Sequence, residues 1–386
     1  MVGDTGSAAA GELTPEQEQF RRVVAAFADE VVAPEVDAYV AEGRFPVELV
    51  RQMGALGLFG LPFEVADGGA GGDYLAFCLA IEEIGRVDQS LGITLEAAVG
   101  LGAAPIAAFG TAQQRERYLP RLCRGEALAG FGLTEAGGGS DIMGATRTRA
   151  VRDGDEWVID GSKQFITNAG TELTELVTVT ALTAPGELTA IIVPTGTPGF
   201  TVSRPYRKVG WHASDTRELI LEQVRVPVDH TLGEVGEGLR QFLTTLDDGR
   251  IAISALATGL IQGCVDECVR YATERQAFGR PLAAHQAVAF AIADLEVAAQ
   301  TSRQMYRYAC RRKLAGLPFK REASIAKLYS SEAAVTAART ATQVFGGMGF
   351  TTETRVGRFY QDAKILEIGE GTSEVQRLLI ARSLGL

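Results

Sequence analysis

The chain has 386 residues, 46% apolar and 22% charged, and its 48 acidic against 37 basic side chains give a net charge of −11. That length exceeds one ordinary hydrophobic core and predicts two or three domains, with the composition of a soluble globular protein. The acidic balance argues against a general affinity for nucleic-acid phosphates or membranes, while leaving room for local basic pockets that hold a phosphorylated ligand.

Residues 1–12 are small and polar, with neither a basic n-region nor an apolar h-region, and read as a loose tail. No later segment shows an uninterrupted apolar run of membrane length. From Leu13 to about Cys123 the period is helical: Thr14-Pro15-Glu16-Gln17 is a cap with Pro at the first helical position, and further runs cover 46–56, 74–85 and 112–122. The period then shortens. Stretches at 157–159, 176–179, 188–193, 200–202 and 219–221 are β-branched and bounded by turn residues, with Asp153-Gly154 and Asp160-Gly161 as hairpin punctuation around the first. Helical periodicity returns from Gly238 through 251–275, 281–314 and 320–345. Helices, strands, then helices predict an α+β fold rather than a βαβ sheet. The expected divisions are a tail at 1–12, a helical domain at 13–125, a β-domain at 126–236 and a helical domain at 237–386.

Several runs carry candidate chemistry. Phe131-Gly132-Leu133-Thr134-Glu135-Ala136-Gly137-Gly138-Gly139-Ser140-Asp141 combines backbone N–H groups exposed by glycines with the hydroxyls of Thr134 and Ser140, which suits the polar edge of a planar cofactor or phosphate oxygens. It fits a Gly-rich interdomain loop equally well, since it lacks the features of a P-loop or a Rossmann motif. Phe165 and Thr167 in Lys163-Gln164-Phe165-Ile166-Thr167-Asn168 pair an aromatic face with a hydroxyl, an arrangement open both to a ring cofactor and to core packing. Arg275-Gln276-Ala277-Phe278-Gly279-Arg280 offers a guanidinium and a ring with His285-Gln286 just beyond. Gln343-Val344-Phe345-Gly346-Gly347-Met348-Gly349 ends a long helix in glycines. Near the C-terminus, Glu370-Gly371-Thr372-Ser373-Glu374-Val375-Gln376-Arg377 places a carboxylate between two glycines before a helix opened by Ser373 and Gln376 at capping-box spacing, where a base belongs. Cys78, Cys123, Cys264, Cys268 and Cys310 lack zinc spacing and predict reduced thiols in a cytoplasm, with Cys264 and Cys268 sharing a helix face. His212, His230 and His285 form no ligand pair, and no metal is expected.

In this order the motifs closely resemble the acyl-CoA dehydrogenase flavoprotein family, from about Glu16 to the last helix. The resemblance implies an N-terminal helical domain, a middle β-domain and a C-terminal four-helix bundle, assembled as a homotetramer with one FAD per subunit. It implies cofactor contacts from Phe131, Leu133, Thr134, Gly139, Ser140, Phe165 and Thr167, and from Thr372 and Glu374. Arg275, Phe278, Gln286, Gln343 and Gly347 match positions that reach FAD from a neighbouring subunit. Ser140, Asp247, Arg250 and Gly371 match positions beside the substrate. Glu370 aligns with the catalytic base, and Gly249 occupies the position that carries the base in another branch.

The implied reaction is α,β-desaturation of an acyl-CoA thioester, with electron-transferring flavoprotein as acceptor. The alternatives are the same chemistry on a carrier-protein thioester, a flavin monooxygenase or oxidase on this fold, and a non-catalytic scaffold. Gly369 stands where Tyr is frequent, which predicts room for a branched, cyclic or otherwise wide acyl group. Ile93, Thr94 and Ala97 fall on the helix that forms the pocket floor.

Overall fold

Thr14 opens the first helix as the sequence predicts: its hydroxyl accepts from the Gln17 N–H while the Gln17 side chain returns to the Thr14 N–H, a closed capping box. The computed structural model describes residues 12–386, so the expected tail lies almost wholly outside the described residues. The N-terminal region is helical: α1 (Pro15–Phe27), α2 (Ala33–Glu42), α3 (Val47–Ala55), α4 (Tyr74–Val87), α5 (Gln89–Glu96), α6 (Ala104–Phe109) and α7 (Ala112–Cys123). Between α5 and α6 the wider π-helical stretch Ala97–Ala103 continues the helix directly after Glu96. Such wide turns occur frequently at functional sites.

The middle region forms one seven-stranded sheet: β1 (Leu128–Gly132), β2 (Arg149–Asp153), β3 (Glu156–Thr167), β4 (Thr174–Ala184), β5 (Glu187–Pro194), β6 (Phe200–Val202) and β7 (Thr216–Pro227), with the short helix α8 (Ile142–Ala145) between β1 and β2. The order is β1-β4-β2-β3-β7-β6, with β5 paired to β4; β1 and β2 run parallel to β4 and the other pairs are antiparallel. The sheet buries its own apolar core, around Trp157, Ile159, Val177, Val179, Ile191 and Leu219. Asp153-Gly154 makes the expected hairpin turn between β2 and β3. Asp160-Gly161 does not: β3 runs straight through it, and the pairing with β7 merely slips register there in a bulge.

The C-terminal region comprises α9 (Gly238–Glu274), α10 (Gln286–Leu314), α11 (Lys320–Phe345), α12 (Arg355–Ala363) and α13 (Ser373–Ser383). The helical period expected from 281 begins only at Gln286, because Pro281 closes a two-strand ladder of β8 (Gln276–Ala277) with β9 (Arg280–Pro281). α9 packs against α4, α10 and α11, so the N- and C-terminal helices share one core containing Phe77, Leu79, Ile84, Leu256, Leu260 and Tyr306. Gly259 faces α4 so closely that a Cβ there would collide with the Glu82 carbonyl. Among the described residues, two helical stretches, 89–109 and 238–274, are long and apolar enough to cross a membrane, but each is mostly buried within the fold, as core helices are. Cys264 and Cys268 do share a helix, and all five thiols are free and buried.

Candidate functional site

Glu370 sits on the loop between the 3-10 turn Lys364–Glu367 and α13, in the left-handed region at φ 53°. Outside glycine that conformation is costly and persists only where the surroundings hold it. The loop is held on both sides. The N–H groups of Ile368 and Gly369 donate to the Ile365 carbonyl at 3.0 and 2.8 Å, and the Gly371 carbonyl accepts from Lys327 Nζ at 2.7 Å and Gln376 Nε2 at 2.9 Å. The cap is shifted one residue from its expected place: Thr372, not Ser373, accepts from the Val375 N–H, and the Gln376 side chain turns to Gly371 instead of closing a box.

The Glu370 carboxyl is shielded from solvent, and among the described residues neither of its oxygens receives a hydrogen bond from an amide, hydroxyl or cationic donor. It faces Glu96, at the end of α5, whose carboxyl is equally buried and equally short of donors. Two carboxyls at hydrogen-bonding reach satisfy each other when one keeps a proton. Burial first, and then the Glu370 charge, push Glu96 well above the usual carboxylate range. Burial also raises Glu370, although Glu96 as donor, Lys327 and Arg250 all pull it down. The two titrate as a pair, of which Glu96 is pushed the higher.

Gly249 on α9 completes the seat, since a Cβ there would collide with the Glu370 carboxylate. The next residue, Arg250, is buried and paired with Asp247 one turn back, which Lys320 also contacts at 2.6 Å. The neighbouring Asp248 is fixed too: its carbonyl accepts from the Tyr74 hydroxyl at 2.8 Å and its carboxyl pairs with Lys313 at 2.8 Å. Glu370, Gly371, Asp247 and Arg250 therefore gather in one place.

The glycine-rich run after β1 is fixed to β3 by a buried ion pair. Lys163 Nζ reaches Glu135 at 2.7 Å, Thr180 Oγ1 at 3.0 Å and the Leu133 carbonyl at 3.2 Å. Burial brings Lys163 down to about 8; burial also lifts Glu135, but Lys163 with the N–H groups of Arg147 and Thr148 outweighs it and holds that carboxyl below its ordinary value. The Thr134 carbonyl accepts from the Gln164 N–H at 2.8 Å. Gly139 and Ser140 stand exposed at the tip, while Phe131 stacks on Phe242 of α9 with ring centres 3.9 Å apart. Phe165, also left-handed at φ 61°, leaves 61% of its surface exposed beside Tyr206. Just past the half-buried Thr167, Asn168 Nδ2 donates to the Thr94 carbonyl at 3.0 Å, tying the end of β3 to the helix that carries Glu96. An exposed ring beside a rigidly seated loop of hydroxyls and glycine N–H groups fits the flat ring and polar edge of a flavin. Thr372 spends its hydroxyl on the α13 cap, and Glu374 is exposed in the first turn of that helix.

The remaining predicted cofactor residues lie elsewhere. Tyr271 stacks on Phe345 with ring centres 4.1 Å apart, which brings the Arg275-Phe278 turn and Gln286 towards the Gln343-Gly347 terminus. Phe278 is 97% exposed, at φ 54°. Arg250 and Arg275 sit at positions 25 residues apart on and just past α9, about 38 Å at the helical rise. The two groups are too far apart to close on the same ring within one chain. Sequence reasoning passed over Glu96 and Lys327; an acid inside the apolar run Ile93-Thr94-Leu95-Glu96-Ala97-Ala98 and a lysine inside Ser324-Ile325-Ala326-Lys327-Leu328 were the available signals.

The comparisons with known proteins agree along the whole chain. Residues 14–126, 130–224 and 236–385 match the family descriptions acyl-CoA dehydrogenase N-terminal, middle and C-terminal domain. A Bacillus subtilis protein named probable acyl-CoA dehydrogenase YngJ is 46% identical over 376 residues, 97% of this chain and 99% of the relative. Butyryl-CoA dehydrogenase from Megasphaera elsdenii superposes with a TM-score of 0.94 at 37% identity, covering 97% of this chain and 99% of that one. A chain from the structure of the Acidaminococcus fermentans electron transferring flavoprotein gives the same TM-score and identity, covering 97% and 98%. Members of the matched family bind FAD.

Proposed function

Because the chain belongs to the acyl-CoA dehydrogenase family and is an oxidoreductase of that kind with FAD as its cofactor, we propose that it desaturates an acyl-CoA thioester between its α and β carbons with Glu370 as the base. The observation that carries this reading is the buried, donor-poor carboxyl of Glu370, held in a left-handed turn against Gly249.

An α C–H beside a thioester is far too weak an acid for an ordinary carboxylate in water. Burial brings the base closer in pKa to its task, and Lys327 and Arg250 keep the ionised form within reach. The Glu370 N–H makes no hydrogen bond among the described residues, so it is available to the thioester oxygen, where negative charge develops as the proton leaves. What FAD supplies when bound is a two-electron acceptor for the β hydrogen. The substrate thus loses its α proton to Glu370 and a hydride from its β carbon. The loop from Leu133 to Ser140 with Phe165 and Thr167 would hold the flavin end of the cofactor, and Arg275, Phe278, Gln286, Gln343 and Gly347 would serve the cofactor of another subunit. That division matches the span of α9 and favours a homotetramer.

The likeness to a butyryl-CoA dehydrogenase favours a short acyl chain. At Gly369 a Cβ would meet nothing nearer than the Ile365 carbonyl at 3.5 Å, which favours an acyl group wide close to the base. Electron-transferring flavoprotein is the proposed acceptor, and the free thiols suit a cytoplasm.

Anaerobic titration of the flavin absorbance with straight, branched and cyclic short-chain acyl-CoA esters tests the reading. Bleaching by one class is expected, and Glu370→Gln should retain FAD and bind the ester without bleaching. A variant that still reduces its flavin would remove Glu370 from the role. Wild-type protein that keeps FAD yet responds to no CoA ester would shift the assignment to a carrier-protein thioester or to an oxygen-using flavoenzyme.

A further inference from the structure

Lys327, in the first half of α11, is 0% exposed, and its ammonium makes one hydrogen bond among the described residues, to the Gly371 carbonyl at 2.7 Å. An ammonium has three N–H donors and loses a large hydration energy on burial, and a single carbonyl does not compensate it. If the position served only to fill space, a methionine would do so without that penalty. The charge must answer another charge. Among those around it, Glu370 acts on Lys327 most strongly, ahead of Arg250, Glu367 and Glu374. At Glu370, in turn, Lys327 outweighs Arg250. The arrangement explains why: the Arg250 guanidinium is already paired with Asp247, whereas the Lys327 ammonium has no carboxylate within ion-pair distance among the described residues.

The second observation is geometric. The carbonyl that Lys327 grips belongs to the residue directly after the base, and Gln376 Nε2 grips the same oxygen at 2.9 Å. Two donors on one carbonyl fix the exit of a turn whose central residue is strained at φ 53°.

We propose that Lys327 is a positioning residue for the desaturation assigned to Glu370: its ammonium clamps the Gly371 carbonyl so that the base stays in its left-handed turn, and its charge favours the ionised carboxylate that takes the α proton. The proposal rests on the dehydrogenase reading above. The groups that face the base are Glu96 from α5, Arg250 from α9 and Lys327 from α11, while Glu367 and Glu374, on the segment of the base, act on Lys327. Burial lowers Lys327 to about 8, so the clamp is charged below that pH and loses its charge above it. Activity should therefore rise with pH as Glu370 ionises and fall again near 8 as Lys327 deprotonates.

The test uses the FAD-loaded protein carrying Glu96→Gln, so that a single carboxyl titrates in the pair. Its infrared carboxyl band, identified as the band that Glu370→Gln removes, is followed against pH in Lys327, Lys327→Met, Lys327→Gln and Lys327→Arg proteins. The expected result is an upward shift of the midpoint by about one pH unit or more in the Met and Gln variants, and recovery in the Arg variant. The acidic limb of kcat/KM should move with it. Lys327→Gln keeps a donor for the Gly371 carbonyl without the charge, and it stands in if the Met variant does not fold. An unmoved midpoint in both neutral variants would overturn the proposal. If no acyl thioester reduces the wild-type flavin while the midpoint still answers to Lys327, the functional reading fails and what stands is that Lys327 holds and charges Glu370.

Discussion

Glu370 and Gly249 are complementary at the level of single atoms. The carboxylate occupies the space that any side chain at 249 would claim. Gly249→Ala adds one methyl group, and because Glu370 is already strained the expected response is displacement of the carboxyl rather than of α9. Misplacing a catalytic group by about 1 Å costs roughly 10²-fold in rate. Gly249→Ala should thus lose flavin reduction by about that factor while retaining its FAD, and a variant within twofold of wild type would show that the seat tolerates the methyl. The sequence pointed to Glu370 from its glycine neighbours and to Gly249 as the position where another branch carries its base. It did not reveal Glu96, because an isolated acid in an apolar helix acquires meaning only when a partner from 274 residues away faces it.

Among the elements, the long helices were legible and the sheet only in part. β1 and β2 went unread: Leu128-Ala129-Gly130-Phe131-Gly132 carries two glycines and Arg149-Ala150-Val151-Arg152-Asp153 three charges, so neither shows a β-branched run. β1 is placed by parallel pairing with β4, a long-range contact with no local signature, whereas β2 is held by its antiparallel ladder with β3 across the Asp153-Gly154 turn, the one part of it that the sequence announced. The same limit applies to α9. Its periodicity marks a helix, but only its unbroken length puts Arg250 and Arg275 about 38 Å apart. The exposed end, with Phe278 and Phe350 each 97% accessible, is where a second copy would be expected. Phe278→Ala should lower FAD content and oligomer mass together in size-exclusion chromatography, with little change in helical content. Loss of FAD from an intact oligomer, or a smaller assembly that keeps its FAD, would show that this surface does not serve both roles.

Across the whole molecule the three regions meet at α12. The Trp211 N–H donates to the Asp362 carboxylate at 2.5 Å, and Arg358 reaches Asp37, buried Asp88 and the Val87 carbonyl. Burial, helped by Asp88, raises Asp362 to about 7, against the opposing pull of the Trp211 N–H, Arg358 and Lys208. A carboxyl whose pKa rises on folding stabilises the fold fully below its unfolded value of about 4, and that contribution disappears as pH climbs through the folded value. Three units correspond to something on the order of 4 kcal/mol. From pH 4 to 7 the wild-type Tm should therefore fall relative to that of Asp362→Asn, whose amide cannot ionise; parallel Tm profiles would show that Asp362 is already charged in the fold.

The common core of α4 and α9 also bears on how the chain is made. Residue 87 leaves the ribosome long before residue 274, and at about 5–20 residues per second the interval is roughly 10–40 s. Throughout it, the face of α4 that will meet α9 has no partner, while the sheet between them can already close around its own apolar centre. Vectorial synthesis thus delivers the middle region finished and the first region waiting, and a nascent chain halted in the middle region would present the face of α4 on which Tyr74 and Gly85 later meet Asp248 and Leu256 to whatever chaperone samples exposed apolar surface.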